Sequence, residues 1–348
     1  MPKLVKNKAR GVLQNGFFAA VDDYPIAGGW GLNGKLFAVG DASGSVQAFD
    51  GTSGRKIWKN SEAHVGGIMS MSVSSNGKQL ASVGQDGQLA LWDFAEGQLQ
   101  HRTEIGSGWV EHVAWSKSGN HLAVSSGRVV TILSSSGDKI WSSKNHPSTV
   151  SALEWVTDQE LSTACYGRVT FFNTSSGKEN ERLEWQGSLV SLALSPDGNV
   201  VACGSQDKSV HFWRRSNGQD SMMSGYPWKP SELAFSHDSI LLATGGGEDI
   251  TVWSFEGNGP EGTTPGVLEF HKAPISSLAF SHHQRHLASG CREGGVVVWS
   301  LGRRGGGHAL GGAPVNGSVE NVYWRPDCRS LAAIDSEGGI TVWRVKKN

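Results

Sequence analysis

Histidine, serine and acidic residues, the types that form hydrolytic active sites, occur together in two sets along this chain. The sets are His64, Ser82 and Asp86, and His271, Ser289 and Glu293. In a serine hydrolase, a histidine takes the proton of the nucleophilic serine and a carboxylate orients the histidine. A repeated structural role explains the recurrence better than one active site does, and there is no Gly-x-Ser-x-Gly turn. We therefore predict that the chain is not an enzyme.

The remaining candidates for chemistry are weaker. His282, His283 and His286 lie in one short segment without an adjoining carboxylate or cysteine, so we expect an exposed loop and no metal site. Gly245–Gly247 neither precedes a predicted helix nor carries a following Lys-Ser/Thr, so it is interpreted as a turn. The four cysteines are widely spaced without a Cys-x-x-Cys pair, which favours small buried hydrophobes. No cofactor is predicted.

The elements that carry these residues form a repeat. Segments 67–92, 188–213 and 274–299 each contain three alternating apolar runs joined by polar or glycine turns. The third run ends at positions spaced by 40–46 residues: Phe49, Trp92, Ile132, Phe172, Trp213, Trp253, Trp299 and Trp343. Eight units of this length match four-stranded blades of a β-propeller.

The units resemble WD40 repeats, and the resemblance covers residues 26–343. The literal Trp-Asp pair stands only at Trp92-Asp93. The resemblance implies an all-β WD40 β-propeller of eight four-stranded blades, with seven blades as the alternative if the unit around Ile132 is not a blade. It also implies a single domain, 1–348, in which residues 10–20 complete the last blade and close the ring.

The same resemblance implies a structural role for the two sets of polar residues. WD40 blades often contain a hydrogen-bonded quartet of His, Ser or Thr, Asp and Trp, because a buried indole N–H and imidazole need partners. The full quartet is His64, Ser82, Asp86 and Trp92. A near match, with Glu in place of Asp, is His271, Ser289, Glu293 and Trp299.

In a propeller, the loops that lead into first strands and the turns between second and third strands converge on one face, the top face. We expect aromatic and cationic residues there to bind a partner, because Trp, Tyr and Arg dominate interface energetics. They are Tyr24, Trp109, Tyr166, Trp185, Tyr226, Trp228, Lys229 and Arg292.

Composition limits the function further. The net charge is −1, which gives no general attraction to nucleic acid, and no apolar stretch is long enough to span a membrane. The first ten residues are basic but lack the apolar run of a secretory signal, so cytoplasm is expected and an organellar transit peptide stays open.

The sequence favours a non-catalytic scaffold, monomeric on its own, that binds an unidentified protein or peptide on the top face. The alternative is an accessory protein that handles a metal, a small molecule or RNA with the same face or the central channel.

Overall fold

The fold consists almost entirely of antiparallel strands. A computed structural model describes residues 9–346. Within that range, helical structure is limited to the 3₁₀ turn Leu32–Gly34. No helix in the described range has the length and apolar content to cross a bilayer. The chain divides into a first unit, Val21–Leu192, and a second unit, Met1–Ala20 with Ala193–Asn348.

The first unit contains four antiparallel sheets, which are blades one to four. Blade one consists of β3 (Pro25–Gly31), β4 (Leu36–Asp41), β5 (Val46–Asp50) and β6 (Lys56–Asn60), and blade two of β7 (Ile68–Val73), β8 (Gln79–Gly84), β9 (Gln88–Asp93) and β10 (Leu99–Glu104). Blade three consists of β11 (His112–Trp115), β12 (His121–Ser126), β13 (Val129–Ser134) and β14 (Lys139–Ser142). Blade four consists of β15 (Ala152–Thr157), β16 (Glu160–Asn173) and β17 (Glu179–Ser188). In blade four, β16 supplies both middle strands, because its first half pairs with β15 and its second half pairs with β17.

The second unit contains blades five to eight. Blade five consists of β18 (Ala193–Leu194), β19 (Val200–Gly204), β20 (Val210–Arg214) and β21 (Gln219–Met223), and blade six of β22 (Glu232–Phe235), β23 (Leu241–Gly245), β24 (Ile250–Ser254) and β25 (Gly266–Leu268). Blade seven consists of β26 (Ile275–Phe280), β27 (His286–Cys291), β28 (Gly295–Leu301) and β29 (Gly307–Pro314), with the short strand β1 (Arg10–Gly11) at its edge. Blade eight consists of β30 (Val319–Trp324), β31 (Ser330–Asp335) and β32 (Gly339–Val345), together with β2 (Leu13–Ala20).

The predicted blade count is confirmed by these eight sheets. Every predicted end of a third run falls in the third strand of its sheet or, in blade four, in the second half of β16. The unit around Ile132 is a regular four-stranded sheet, so the seven-bladed alternative is wrong. That residues 1–348 form one domain stays a prediction. Of the basic segment 1–10, residues 1–8 lie outside the described range.

The N-terminal segment completes the last blade, as the sequence predicts. Strand β2 pairs antiparallel with β32, from Leu13 opposite Val345 to Ala20 opposite Gly339. Leu13 is buried in the same apolar cluster as Trp343. The expected range of 10–20 needs one correction, because Arg10 and Gly11 pair with β29 of blade seven instead.

Glycine-rich composition usually indicates a flexible loop, but the glycine-rich stretch 301–317 contains a strand. Its residues 307–314 form β29, the fourth strand of blade seven. A Cβ built on Gly311 would lie 2.3 Å from the carbonyl oxygen of Arg10. Glycine is needed here because the N-terminal backbone passes too close for any side chain.

Tryptophans at the ends of strands join neighbouring blades inside each unit. Trp155 Nε1 donates to the carbonyl of Ala114 at 3.0 Å, and Trp324 Nε1 donates to that of Ala279 at 2.9 Å. Both indoles are buried, so their apolar ring surface is removed from water while each indole N–H keeps a hydrogen-bond partner. The apolar clusters likewise contain residues from adjacent blades, and the core is therefore a series of interblade layers.

Candidate functional site

The loop that leads into blade six packs against two glycines of the same blade, Gly246 and Gly247. A Cβ on Gly246 would lie 2.6 Å from Tyr226 Cδ1, and one on Gly247 would lie 2.7 Å from Pro227 Cγ. The N–H of Trp228 donates to the carbonyl of Gly246 at 2.9 Å. Because residues 246 and 247 are glycines, the loop can pack directly against their backbone, and Trp228 then lies at the surface of the loop.

Beside this loop is a cavity of about 350 Å³, which we call the Trp228 pocket. Its lining residues come from the turn between the second and third strands of blade five, the loop into blade six, the corresponding turns of blades six and seven, and the start of blade seven. They are Gln206, Lys208, Trp228, Lys229, Ser231, Gly245, Gly246, Gly247, Pro274, Ile275 and Arg292. The structure thus brings together three of the expected partner-binding residues, Trp228, Lys229 and Arg292.

The Trp228 pocket is cationic. Lys208, Lys229 and Arg292 line it, and none of the three has an ion-pair partner among the described residues. Trp228 is 60% exposed, which leaves most of its indole available to a ligand. Cations and an indole in one concave surface can pair with anionic groups and cover apolar ones.

Lys208 is the lining residue that sequence reasoning missed. Its φ is +67°, a left-handed conformation that other blades fill with glycine at the same turn position, as at Gly87 and Gly294. A lysine there is strained by the order of 1 kcal/mol, and such strain is often found at functional sites. A lysine at a turn position that favours glycine was the signal available in the sequence.

Glu232 lies at the start of β22, next to the lining residue Ser231 and opposite the lining residue Gly245 in the strand pairing. Its side chain is half-buried. Burial raises the pKa of this carboxyl to about 7, although a hydrogen bond with Ser231 acts in the opposite direction. The carboxyl is therefore largely neutral well below pH 7 and ionises near that pH.

Tyr226, expected at the partner-binding surface, has a structural role in blade six instead. Its hydroxyl lies 2.9 Å from Thr244 Oγ1 and accepts the indole N–H of Trp253 at 3.0 Å. Thr244 Oγ1 in turn donates to the carbonyl of Thr251, so the tyrosine hydroxyl donates to Thr244. Burial raises the pKa of Tyr226, and its phenol stands where another blade has the histidine of the quartet.

The other expected contact residues belong to the first unit. Trp109 is 54% exposed and is followed by the fully buried Val110. Tyr24 and Tyr166 are also exposed. Trp185 lies within strand β17 and is half-buried, so it belongs to a blade edge and not to a loop. A binding role for these four residues stays a prediction.

The first quartet forms one chain of hydrogen bonds. Trp92 Nε1 donates to Ser82 Oγ at 2.9 Å, and Ser82 Oγ lies 2.9 Å from His64 Nε2. His64 Nδ1 lies 2.9 Å from Asp86 Oδ1. Since the indole can only donate and the carboxylate can only accept, the serine proton points to Nε2 and the imidazole proton to Asp86. Burial lowers the pKa of His64, which favours this neutral form.

The second set is a trio and not a quartet. Ser289 Oγ lies 2.7 Å from His271 Nε2 and accepts the indole N–H of Trp299 at 2.8 Å. Glu293 is exposed and makes no hydrogen bond to His271 in the described structure, which corrects its expected role. His271 Nδ1 faces Gly295 instead, where a built Cβ would be 3.4 Å away. Without a carboxylate to oppose it, burial lowers the pKa of His271 to about 4.

The positions of the serines, histidines and carboxylates can be compared with what hydrolysis and metal binding require. Ser82 and Ser289 have no exposed surface, so neither hydroxyl is placed to attack a substrate. Among residues 9–346, no group of three or more His, Cys, Asp or Glu side chains is arranged to hold a metal ion.

Two family models match the chain. The model described as "WD domain, G-beta repeat" matches residues 262–300. The model described as "Outer membrane protein assembly factor BamB", which is of propeller type, matches residues 42–246.

Curated relatives extend the likeness over most of the chain. Actin-interacting protein 1 of Caenorhabditis elegans is 26% identical over 81% of this chain and 47% of its own length. Telomerase protein component 1 of Mus musculus is 26% identical over 92% of this chain and 12% of its own length. The chain thus spans less than half the length of these relatives.

A solved structure establishes the fold. The computationally designed Ika8 protein superposes with a TM-score of 0.80 at 20% identity, covering 94% of this chain and 98% of Ika8. The fold class is an eight-bladed β-propeller, as the sequence predicts.

Proposed function

We propose that this chain, which belongs to the WD40-repeat β-propeller family, is a non-catalytic scaffold that binds a protein or peptide partner at the Trp228 pocket. WD40 propellers are in general protein-interaction scaffolds. The finer assignment to one pocket is supported by one observation. An exposed indole and three unpaired cations from three blades line the same cavity.

The energetics of binding favour this location. Trp and Arg remove large areas from water while keeping polar contacts, and they are enriched among residues that dominate binding energy. The backbone of the loop into blade six is held against Gly246, so little order has to be created when a partner binds.

The non-catalytic part of the proposal is supported by the burial of the polar trio and quartet. Ser82 and Ser289 are committed to their histidine and tryptophan partners inside the blades. Their hydrogen bonds stabilise the blade, because an unpaired buried indole or imidazole would lower stability.

Affinity purification with quantitative mass spectrometry tests the proposal. The wild-type chain, a Trp228→Ala/Lys229→Ala variant and a Leu99→Ala/Lys117→Ala control would be immobilised and exposed to an extract of the source organism. Leu99 and Lys117 are exposed and lie outside the pocket, so the control removes the same kinds of surface. We expect at least one protein to be retained by the wild type and the control and lost with the pocket variant. Equal recovery on all three would contradict the proposal.

The oligomeric state and the compartment stay predictions. We expect a monomer, which light scattering would measure, and a cytoplasmic location, which fractionation of the source cells would measure.

A further inference from the structure

The charge of the Trp228 pocket is not cancelled by its own lining. Three cationic side chains line it, and no lining residue carries a carboxylate. The nearest acidic residue in the blade-five turn is Asp207, whose carboxylate accepts from the N–H and the hydroxyl of Ser209 at 3.1 and 2.6 Å. Glu248, Asp249 and Glu293 are exposed neighbours outside the lining. None of these four carboxylates forms an ion pair with Lys208, Lys229 or Arg292 in the described structure, which leaves the three cations without an anionic partner.

Lys208 places a cation at a turn position whose φ of +67° favours glycine. Backbone strain of this kind is often found at functional sites, which supports a role for this cation in the pocket. Glu232, opposite the lining residue Gly245, is mostly protonated well below pH 7, because burial raises its pKa to about 7.

The other half of the lining is apolar. Trp228 presents its indole, and Pro274 and Ile275 line the same cavity. Gly245, Gly246 and Gly247 contribute only backbone atoms to the lining. A ligand that satisfies the whole surface needs an apolar group beside its negative charges.

The size of the pocket and the charge of the chain favour a peptide over a nucleic acid. A volume of about 350 Å³ lies near the lower limit of ligand cavities and can accept only a few side chains. The net charge of −1 gives no long-range attraction to a polyanion.

We propose that the Trp228 pocket recognises an acidic peptide segment in which a large apolar residue lies beside Asp or Glu, an inference that rests on the proposed function of this pocket. The carboxylates pair with Lys208, Lys229 and Arg292, and the apolar side chain covers the indole of Trp228.

Selection from a random twelve-residue peptide library displayed on phage tests this assignment. Binders would be selected on the wild-type chain and counter-selected on a Lys229→Ala/Arg292→Ala variant. We expect the retained peptides to be rich in Asp and Glu next to Phe, Leu, Trp or Ile. Pocket-dependent peptides that are neutral or basic would overturn the acidic assignment and leave the proposed function standing. If no peptide depends on the pocket, both proposals are wrong.

Binding of one selected peptide, synthesised with a fluorophore, supplies the quantitative test. We expect the Lys229→Ala/Arg292→Ala variant to weaken binding at least tenfold, and a Lys117→Ala/Lys139→Ala control with the same net charge to stay within twofold. Replacing the Asp and Glu residues of the peptide by Asn and Gln should weaken its binding to the wild-type chain as much as the Lys229→Ala/Arg292→Ala variant does. Equal affinity for the neutral peptide, or displacement by a twelve-nucleotide RNA at a lower concentration than by unlabelled peptide, would overturn the proposal.

Discussion

Replacing Glu232 by glutamine should make this protein more stable in alkaline solution and leave it unchanged in acid. Glu232 is half-buried opposite Gly245, and burial raises the pKa of its carboxyl from 4.5 to about 7. Glutamine has nearly the same shape and carries no charge, so the Glu232→Gln substitution removes the ionisation and keeps the packing.

The sign follows from proton binding. Between pH 4.5 and 7 the folded chain keeps the proton of Glu232 while the unfolded chain has lost it, so the free energy of unfolding falls as the pH rises. Each pKa unit corresponds to about 1.4 kcal/mol, and the full difference is therefore about 3 kcal/mol above pH 7. At pH 4.5 the unfolded chain is half protonated at Glu232, so the contribution is below about 0.5 kcal/mol, and it vanishes at lower pH.

Urea unfolding followed by tryptophan fluorescence measures this difference. We expect Glu232→Gln to be more stable than the wild type by about 2–3 kcal/mol at pH 8.5 and by less than about 0.5 kcal/mol at pH 4.5. The other titrating groups are common to both proteins and cancel in the comparison. Glu96→Gln, at an exposed carboxyl, is the control and should change little at either pH.

Two results would refute this reasoning. A stability difference that is the same at both pH values would show that the substitution acts through packing and not through ionisation. A wild type more stable than Glu232→Gln at pH 8.5 would show that the ionised carboxylate has a favourable partner.

Three further predictions concern the closure of the last blade, the quartet and the first unit. A chain that lacks residues 1–20 should show a sharply lower melting temperature in differential scanning calorimetry, because β32 becomes an unpaired edge and the apolar surface that Leu13 covers is exposed. Ser82→Ala should lower the free energy of unfolding by about 1–3 kcal/mol in urea titrations, since His64 and Trp92 lose their shared buried partner. Trp109→Ala should leave the melting temperature unchanged and should weaken, by about 1–3 kcal/mol in calorimetric titrations, the binding of a partner that contacts the first unit as well as the Trp228 pocket.

Each of these has an outcome that contradicts it. An unchanged melting temperature after the deletion would mean that pairing of β2 with β32 contributes little to stability. A stable Ser82→Ala variant would mean that the quartet is not a structural element. Normal binding by Trp109→Ala would remove the first-unit site and leave the Trp228 pocket as the partner-binding candidate.

The sequence alone was sufficient for the repeat and the topology of the blades. Alternation within a strand is a local property, because side chains i and i+2 face the same side of a sheet, and the turn residues lie within a few positions of each other. The ends of the third strands and the pairing of residues 13–20 with the last blade therefore follow from spacing along the chain.

Tertiary structure alone decided which polar and aromatic residues are available to a partner. Tyr226 and Trp228 are two positions apart. The hydroxyl of Tyr226 is hydrogen-bonded inside blade six, whereas the side chain of Trp228 is exposed. Residue type does not distinguish them, because exposure depends on the glycines at 245–247, which come from a different turn.

The same limit applies to the pocket and to the glycine-rich strand. Lys208, Trp228 and Arg292 meet because turns from three blades converge, and that convergence depends on how the sheets pack. Strand β29 has almost no side-chain pattern, and the passage of Arg10 and Gly11 beside it explains the glycine at position 311. The spacing of residues along the chain determined where the strands lie. Contacts between residues far apart in the chain determined which side chains are exposed on the surface.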